Sequence, residues 1–395
     1  MKKVLVVTPR FPYPEAGADE QDRAGGIRQL KRLGFEVVVL GKYFDWQDTK
    51  EIESSWNKEG VSVTLLPYRY RGKKWKKLFS AFRHPLSLDG AAAEFFDPVT
   101  QTTLVHILDR EAPDLVWFDY TYLWPLYREV KKRKIPIITR SINVESRHFL
   151  DEDGRTLFNY VKFIPKYFSE LITARMSDAV FAITPKEEAW YRAHGAAHVA
   201  TLPLRALPKK LGTHTPRETD AFQVFFCGST YTVAHNRHAL EFLVKELAPM
   251  MFQTYGKKFI FHLTGAKFPK DLEMYIRDNV VCEGFVKDMD MFLRGMDIAV
   301  VPSFFGAGMQ QKIFEPLARG FPTITHPRGI ADYPFVPEVE FLPAETASAY
   351  ADALVALLSI DKRKYLSENC KRKSASIFSL HALDAIVKKV LNDLL

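Results

Sequence analysis

Short apolar runs rich in β-branched and aromatic residues alternate with helical patterns along nearly all of the 395 residues. This alternation indicates parallel sheet, because parallel strands are joined by crossover helices. Seven runs lie in the first half, at 4–8, 35–40, 61–67, 114–119, 136–142, 179–184 and 199–203. Six follow, at 223–228, 259–265, 280–286, 298–303, 321–326 and 339–342. The pattern predicts an α/β fold with two parallel sheets.

The chain is too long for one ordinary core, since domains of about 150 to 200 residues are usual. Between the two series of strands lies LPKKLGTHTPRETD, which is polar and contains Pro and Gly, as linkers do. We therefore predict a first domain over 1–205, a linker over 206–220 and a second domain over 221–378. The remainder, 379–395, is predicted to be an amphipathic helix whose apolar face consists of Leu383, Ile386, Val387, Val390 and Leu391.

The composition, with 47% hydrophobic and 26% charged residues, is typical of a soluble globular protein. The three cysteines form no C-x-x-C pair, which argues against a zinc site or a disulfide framework and favours the cytoplasm. The start, MKKVLVV, has only a short apolar run and is predicted as a strand, not a signal peptide. No run reaches about 18 apolar residues, so no transmembrane helix is expected.

The net charge of +8 leaves open an anionic partner, and the densest basic stretch runs from Arg69 to Arg83 with aromatic residues interleaved. A basic aromatic helix can lie in an anionic membrane interface, which predicts peripheral binding to the inner face of the cytoplasmic membrane. The alternative is a solvated lysine face whose aromatic side chains pack inward. No signature of a nucleic-acid-binding fold accompanies the charge, so nucleic acid is not predicted as a partner.

The segment 296–326 carries the strongest functional signal, because its glycines lie where a strand hands over to a helix. Gly306 and Gly308 follow a β-branched run and precede an amphipathic stretch. Such a turn presents backbone N–H groups and a helix N-terminus, which suit a phosphate. Lys312 and Glu315 share the polar face, so a cation for a diphosphate and a carboxylate for ribose hydroxyls project together. The alternative is a solvent-exposed charged helix face.

The sequence GAGMQQKIFEPLARGFPTITH resembles the donor-binding signature of bacterial GT-B glycosyltransferases of the large retaining group, family GT4. That signature reads K-x-x-E-A-x-A-x-G-x-P-V after a Gly-rich loop, and Lys312, Glu315, Ala318, Gly320 and Pro322 fall on it in register. Four other segments resemble the family in the right order: KVLVVTPRFPYP, RSINVESRHFL, DAVFAITPKEEAWYRAHG and FFCGSTYTVAHNRHALEFLVKELAP. The resemblance therefore covers nearly the whole chain.

This resemblance implies the GT-B architecture, in which two Rossmann-like domains face each other across a cleft and the last helix crosses back to the first domain. It also implies retaining transfer of a hexose from a nucleotide diphosphate sugar to a glycan or lipid-linked saccharide in surface polysaccharide biosynthesis. We expect no cofactor and no metal, since no D-x-D is placed after a strand. Asp288 to Asp290 has that spacing but falls in a predicted helix and is interpreted as helix-start acids.

The family pattern assigns donor-binding roles in the second domain. Lys312 would pair with a phosphate and assist catalysis, and Glu315 would bind the ribose. Asn236 matches a family asparagine, although it could instead cap the following helix. Phe285 could equally be a core aromatic. The backbone positions expected to line the donor are Gly284 and Phe285 at the nucleobase, and Gly306, Gly308, Met309 and Gln310 at the pyrophosphate or sugar.

The sequence departs from the family pattern in three respects. Ala307 stands where many relatives carry the first of two glutamates, and Ser229 and His235 replace an Arg-and-Lys pair. Pro316 replaces the commoner alanine inside the donor helix. Because proline is tolerated only in the first turn of a helix, we predict that the regular helix starts later than Met309.

In the first domain, residues after the first, fourth and fifth strands are candidates, since ligands gather at the carboxyl ends of parallel strands. Gly17 matches part of the family's Gly-Gly loop, which approaches the donor phosphates. The candidate catalytic carboxylates are Asp119 and Glu145, for each of which the alternative is a structural salt bridge. The acceptor-side candidates are Asp19, Arg140 and Asn143.

Two other functions share this architecture. A sugar-nucleotide 2-epimerase would keep acidic residues and a histidine around the sugar, and no matching cluster is found. A binding module that lost turnover is supported only by Ala307. The sequence leaves open the donor base and sugar, the acceptor, the linkage and the oligomeric state.

Overall fold

The structure, a computed structural model, describes residues 1–69, 91–306 and 308–395. Beyond Arg69, the basic stretch to Arg83 lies outside the described residues, as does Ala307. The chain forms two compact units, one comprising 1–206 and 383–395 and the other 207–382. No helix in these ranges is long and apolar enough to cross a membrane.

The first unit contains a seven-stranded parallel sheet in the order β3-β2-β1-β4-β5-β6-β7. Its strands are β1 (Lys3–Thr8), β2 (Glu36–Tyr43), β3 (Ser62–Pro67), β4 (Leu115–Phe118), β5 (Ile137–Arg140), β6 (Ala179–Ala182) and β7 (Val199–Thr201). The described helices around it are α1 (Ala18–Arg32), α2 (Thr49–Lys58), α3 (Pro98–Glu111), α4 (Tyr127–Lys132), α5 (Glu145–Asp153), α6 (Leu157–Met176) and α7 (Pro185–Ala193).

Both faces of this sheet are covered, because successive strand side chains point to opposite sides. Val4 and Val6 of β1 belong to one buried cluster, while Leu5 and Val7 belong to the other. The final helix of the chain, Leu380–Leu394, contributes to the first of these clusters. Its residues there are Leu383, Val387, Val390 and Leu391.

The second unit contains a six-stranded parallel sheet in the order β10-β9-β8-β11-β12-β13. Its strands are β8 (Phe222–Thr230), β9 (Phe259–Ala266), β10 (Val280–Gly284), β11 (Ile298–Val301), β12 (Thr323–Thr325) and β13 (Leu342–Pro343). Its α-helices are α8 (Ala234–Phe242), α9 (Ala248–Tyr255), α10 (Met289–Leu293), α11 (Gln311–Arg319), α12 (Ala347–Ala356) and α13 (Ile360–Phe378). The final helix, Leu380–Leu394, is α14, and most of it belongs to the first unit. Short 3₁₀ turns include Thr121–Leu126 and Leu207–Lys210.

All thirteen predicted strands are present in the described residues, with ends that differ by at most three residues from the sequence-based bounds. The predicted α/β class with two parallel sheets is therefore confirmed. The polar segment 206–220, predicted as a linker, packs on the second unit. Gly212 N–H donates to the carbonyl of Ala318 at 2.9 Å, and His214 N–H to that of Arg319 at 2.8 Å.

In each sheet the strand order reverses at one point, between β1 and β4 in the first unit and between β8 and β11 in the second. At such a point the loops leaving two adjacent strands turn to opposite faces and open a crevice at the carboxyl ends. The fold thereby brings the residues after β1 close to those after β4, and the residues after β8 close to those after β11.

Candidate functional site

The loop after β11 is built around two glycines in left-handed conformations. Gly306 has φ 107° and Gly308 has φ 69°, a region that side chains other than glycine rarely adopt. Gln310 ties this loop together, since its Oε1 accepts from Ser303 Oγ at 2.7 Å and its Nε2 donates to the carbonyl of Phe305 at 3.3 Å. The Gln310 side chain does not cap α11. In the first turn, the N–H of Ile313 donates instead to the carbonyl of Gln310, at 3.0 Å.

Helix α11 begins at Gln311, which confirms that the regular helix starts later than Met309. Met309 itself is buried. Pro316 is nevertheless the sixth residue of the helix, beyond the first turn to which we expected proline to be confined. Having no N–H, Pro316 cannot donate to the carbonyl of Lys312 one turn earlier, so this helix tolerates a missing bond next to the candidate site.

Lys312 projects into the crevice between β8 and β11. Its Nζ donates to Asn236 Oδ1 at 2.8 Å and lies 5.6 Å from the centre of the Phe226 ring. The Asn236 amide donates in turn to Ser229 Oγ and to the carbonyl of Thr230, both at 3.1 Å. Asn236 is buried in the first turn of α8, but its side chain holds the loop and the ammonium and does not cap the helix. The helix-capping alternative is therefore wrong.

Glu315 lies one turn further along α11 and is held on both carboxylate oxygens. Its Oε1 accepts from Arg319 Nε at 2.9 Å and Nη2 at 2.7 Å, and its Oε2 accepts from Gln311 Nε2 at 2.7 Å. Lys210 Nζ lies 3.6 Å from Oε1. The alternative of a solvent-exposed charged face does not apply, because Arg319 is buried and Glu315 is largely so. Each oxygen has two lone pairs, so Oε2 can accept a further hydrogen bond.

The residues predicted at the nucleobase lie at the carboxyl edge of the same sheet. Gly284 ends β10 with φ 66°, and the side chain of Phe285 is 70% exposed, which excludes the core-aromatic alternative. Strand β10 is three strands away from β11, or about 14 Å at the usual spacing. These two residues therefore lie at the same edge of the sheet as Lys312 but not next to it.

The D-x-D sequence begins helix α10, as we predicted. Asp288 caps the helix by accepting from Met291 N–H at 2.9 Å. Asp290 pairs with Arg319 and, at 3.0 Å, with Lys210 Nζ. The hydrogen bond from Arg319 lowers the pKa of Asp290, with a smaller contribution in the same direction from Lys210. Both carboxylates are thus engaged within the second unit.

A pocket of ≈ 210 Å³ opens in the first unit where β1 and β4 end. Asp19 and Glu145, both predicted from the sequence, line it. The Tyr120 hydroxyl contacts the Glu145 carboxylate and lies 3.0 Å from Asn143 Oδ1, so the structure brings Asn143 to the same place. Asp19 pairs with Arg23 at 2.9 Å. The remaining lining residues are Ala91, Thr121, Tyr122, Ile142, Lys166 and Ser169.

Asp119 and Arg140, also predicted from the sequence, lie instead in a buried ion network. Arg205 Nη2 contacts Asp22 Oδ2 at 2.8 Å and Asp119 Oδ1 at 3.1 Å, and Trp117 Nε1 donates to Asp119 Oδ1 at 3.0 Å. Arg140 is fully buried and lies 3.8 Å from Asp22. Burial opposes ionisation of Asp22, but Arg205 and Arg140 together outweigh it and lower its pKa. This placement argues against direct contact of Asp119 or Arg140 with a substrate.

Sequence reasoning missed Tyr120, the residue that links Glu145 and Asn143. It follows Asp119 directly, just beyond the carboxyl end of β4, so the argument that singled out Asp119 applies to this neighbour as well. Gly17, the remaining candidate of the first unit, is the N-cap residue of α1. A β-carbon at Gly17 would meet only the end of the flexible Glu20 side chain, and φ is −106°, so the local structure does not require glycine there.

Glu187 positions the residues beside Glu145 from the neighbouring helix. Its Oε1 accepts from the N–H of Val144 at 3.1 Å, and Thr184 caps the helix through the N–H of Glu187 at 3.2 Å. Burial raises the pKa of Glu187 to about 7. No sequence signal we considered singled out this carboxyl, because its partner lies 43 positions away.

Two family models match the chain. The model described as Glycosyl transferase 4-like domain matches residues 25–205, and the one described as Glycosyl transferases group 1 matches 221–359. A search of curated proteins found no match. Together the two models span most of both units.

Several solved structures share the fold at low identity. A sucrose-phosphate synthase from Thermosynechococcus elongatus has a TM-score of 0.70 and 17% identity over 100% of this chain and 99% of that chain. S. aureus TarM, in complex with fondaparinux, alpha-GlcNAc-glycerol and UDP, has a TM-score of 0.68 and 12% identity over 100% of both chains. Anabaena HepE in complex with UDP-glucose has a TM-score of 0.65 and 12% identity over 99% of both chains.

These neighbours are GT-B glycosyltransferases, and their likeness establishes the architecture. The family models add the class of protein. The chain belongs to the group 1 glycosyl transferases and has the GT-B fold.

Proposed function

We propose that the protein moves a hexose from a nucleotide diphosphate sugar to a glycan or lipid-linked saccharide during the synthesis of a surface polysaccharide. The observation that carries this proposal is the Lys312 ammonium, held 2.8 Å from Asn236 at the crevice between β8 and β11. A fixed cation beside a glycine loop and a helix N-terminus suits a diphosphate. Neighbours solved with UDP and UDP-glucose support a nucleotide-sugar donor.

Departure of the nucleotide diphosphate builds negative charge on its phosphate oxygens. Lys312 and the first-turn N–H groups of α11 would stabilise that charge, and preorganised groups of this kind supply much of the rate enhancement in many enzymes. Asp288 caps a helix and Asp290 pairs with Arg319, which supports a reaction without a metal ion. We propose retention of the anomeric configuration, as the family resemblance implies.

The acceptor would bind in the pocket of the first unit. Glu145 is the carboxylate that Tyr120 orients there, and it would accept a hydrogen bond from the acceptor hydroxyl. Asp19 and Asn143 lie around the same space and would contact further sugar hydroxyls. Asp119 is left out of this assignment because Arg205 and Trp117 occupy it.

Helix α6 supports an acceptor at a membrane surface. Apolar side chains at helical spacing form one face that is exposed to solvent, with Leu157 at 85% and Val161 at 56%. The other residues of this face, which we call the α6 apolar face, are Tyr160, Ile164 and Phe168. The opposite side of the helix supplies Lys166 and Ser169 to the pocket. A lipid-linked acceptor would thus reach the pocket from the bilayer, at which the protein would bind peripherally from the cytoplasm.

The test is isothermal titration of UDP, GDP, ADP, CMP and dTDP into the purified protein, beside a Lys312→Ala, Glu315→Gln double variant. We expect one nucleotide to bind, and the double variant to bind it about 100-fold more weakly, since two charged contacts of about 1.4 kcal/mol each are lost. Lys364→Ala, which removes an exposed lysine of α13, is the matched control. Equal affinity in all three proteins would refute the site.

Turnover separates transfer from epimerisation. With the donor identified, the transferase releases free nucleotide only when a glycan acceptor is added. A 2-epimerase of this fold would change the sugar without an acceptor, and a binding module would release nothing. Either result would replace the proposed function while leaving the nucleotide site in place.

A further inference from the structure

The second unit contains another pocket, of ≈ 430 Å³, that does not include the glycine loop. It lies between α10, the end of α11 and the segment that precedes β8. The residues of that segment that line it are Lys209, Thr213, His214, Thr215 and Arg217. Helix α10 and the turn after it contribute Asp290, Leu293, Arg294 and Met296, and the end of α11 and the residues before β12 contribute Arg319 and Phe321.

The floor of this pocket is apolar and aromatic. Leu293, Met296 and Phe321 are all buried in the core of the unit. The imidazole of His214 lies flat on the Phe321 ring, with the ring centres 3.9 Å apart and the planes at 21°. A floor of this kind favours the apolar or aromatic part of a small ligand.

The rim is basic. Four cationic side chains line the pocket, against the single carboxylate of Asp290. Arg217 is paired with Asp297 at 3.0 Å, and Arg319 with Asp290 and Glu315. Lys209 and Arg294 are exposed, and within the described ranges neither has an ion-pair partner. Two cations are therefore available to an anion.

His214 gives a second, independent indication of a ligand. The residue is only 8% exposed, and its Nε2 is buried without a hydrogen-bond partner among the residues that the structure describes. Burial, with the charges of Lys371 and Arg217, lowers its pKa to about 3, so the ring is neutral at ordinary pH. A buried polar nitrogen without a partner is unfavourable, and a ligand atom would satisfy it once the His214 ring turns so that Nε2, which has no accessible surface here, faces the pocket.

We propose that this pocket binds a small organic phosphate. The phosphate lies between Lys209 and Arg294, the apolar part lies on the floor, and a polar atom of the ligand bonds to His214 Nε2. The cations suit phosphate as charge-assisted donors. The crevice of Lys312 is not part of this site, so the proposal does not depend on the donor assignment.

The pocket is also connected to the donor helix. Arg319 Nη1 donates to Thr213 Oγ1 at 3.1 Å, while its Nε donates to Glu315 Oε1 at 2.9 Å. A phosphate that draws Arg319 toward the pocket would weaken its hold on Glu315. Occupancy therefore changes the affinity for the donor nucleotide, and this coupling rests on the proposed function.

The binding test uses AMP and inorganic pyrophosphate in isothermal titration with the Lys312→Ala protein, whose donor cation is removed. We expect AMP to bind. A Lys209→Ala, Arg294→Ala pair should weaken it about tenfold or more, and Lys270→Ala, Lys364→Ala, which removes two exposed lysines elsewhere in the unit, should not. His214→Phe, which keeps the stacked ring but loses Nε2, should also weaken it.

The proposal is overturned if neither probe binds at up to about 10 mM, or if the Lys209, Arg294 variant binds as well as its control. The coupling is tested in protein with Lys312 intact. Saturating AMP should change the dissociation constant of the donor nucleotide about fivefold or more, and this effect should disappear in the Lys209, Arg294 variant. An effect that persists there shows competition at the donor crevice and overturns the coupling. If no nucleotide depends on Lys312 while AMP binding still depends on Arg294, the donor proposal fails and this one stands.

Discussion

The Nζ of Lys312 and the Oδ1 of Asn236 lie 2.8 Å apart, although the two residues are 76 positions apart in the chain. Lys312 belongs to the first turn of the helix after β11, and Asn236 to that of the helix after β8. The amide is itself fixed by Ser229 and Thr230. This arrangement fixes a positive charge at the point where the strand order of the second sheet reverses, before any ligand arrives.

Asn236→Ala should weaken nucleotide binding about tenfold, because the Lys312 ammonium loses the acceptor that orients it and a hydrogen bond to a charged group contributes about 1.5 kcal/mol or more. The measurement is the dissociation constant by titration calorimetry. Asn57→Ala, at an exposed position of α2, is the matched control. An unchanged dissociation constant for Asn236→Ala would show that the ammonium is positioned without it.

Substitutions of Asp119 and Glu145, the two carboxylates predicted as catalytic, should have different effects on stability and activity. Asp119→Asn should lower the free energy of unfolding by about 3 kcal/mol or more, since it leaves the buried Arg205 with only one of its two partners. The check is urea denaturation followed by Trp fluorescence. Full stability of this variant would contradict the network that we describe.

Glu145→Gln should instead keep the free energy of unfolding within about 1 kcal/mol, because the residue lines an open pocket. Its transfer rate should fall about 100-fold if the carboxylate takes a proton from the acceptor. Steady-state kinetics with the identified acceptor measure this. A stable variant with full activity would remove Glu145 from the reaction.

Glu187 should make stability depend on pH. Burial raises its pKa from 4.5 to about 7, so the folded chain holds this proton more tightly than the unfolded chain does. The free energy of unfolding should therefore fall as the pH rises from about 4.5 to about 7, by up to about 3 kcal/mol at about 1.4 kcal/mol per unit. It should change little from this group above pH 7.

The check is denaturation of the wild type and of Glu187→Gln across this pH range. Glutamine keeps an oxygen for the N–H of Val144 and cannot ionise. The difference in the free energy of unfolding between the two proteins should grow with pH and then level off. Taking this difference cancels the titration of the other groups, which both proteins share. A difference that is constant with pH would mean that Glu187 titrates normally.

Val161→Asp and Ile164→Asp, combined on the α6 apolar face, should reduce binding to phosphatidylglycerol vesicles about tenfold or more, because two exposed apolar side chains no longer enter the bilayer. Co-sedimentation measures this binding. Met274→Asp, at an exposed position of the second unit, controls for the added negative charge. Equal sedimentation of all variants would remove the membrane from the proposed function.

The sequence by itself determined the elements and their order. Each parallel strand is a local run of apolar residues that is buried on both faces, so its position can be read without knowing its neighbours. The glycines at 306 and 308 are likewise local, since a left-handed backbone selects for them at that place. The same local logic gave the late start of the donor helix at Gln311 and the capping role of Asp288.

Only the tertiary structure decided which polar residues face a ligand. Asp119 and Tyr120 are neighbours in sequence, yet one is held by Arg205, 86 positions away, and the other meets Glu145 in the pocket. The pocket above Phe321 likewise depends on His214, more than 100 positions earlier in the chain. Whether a charged side chain is paired in the interior or open to a ligand depends on residues from distant strands. Those residues meet only when the strands assemble, and no local sequence pattern encodes that assembly.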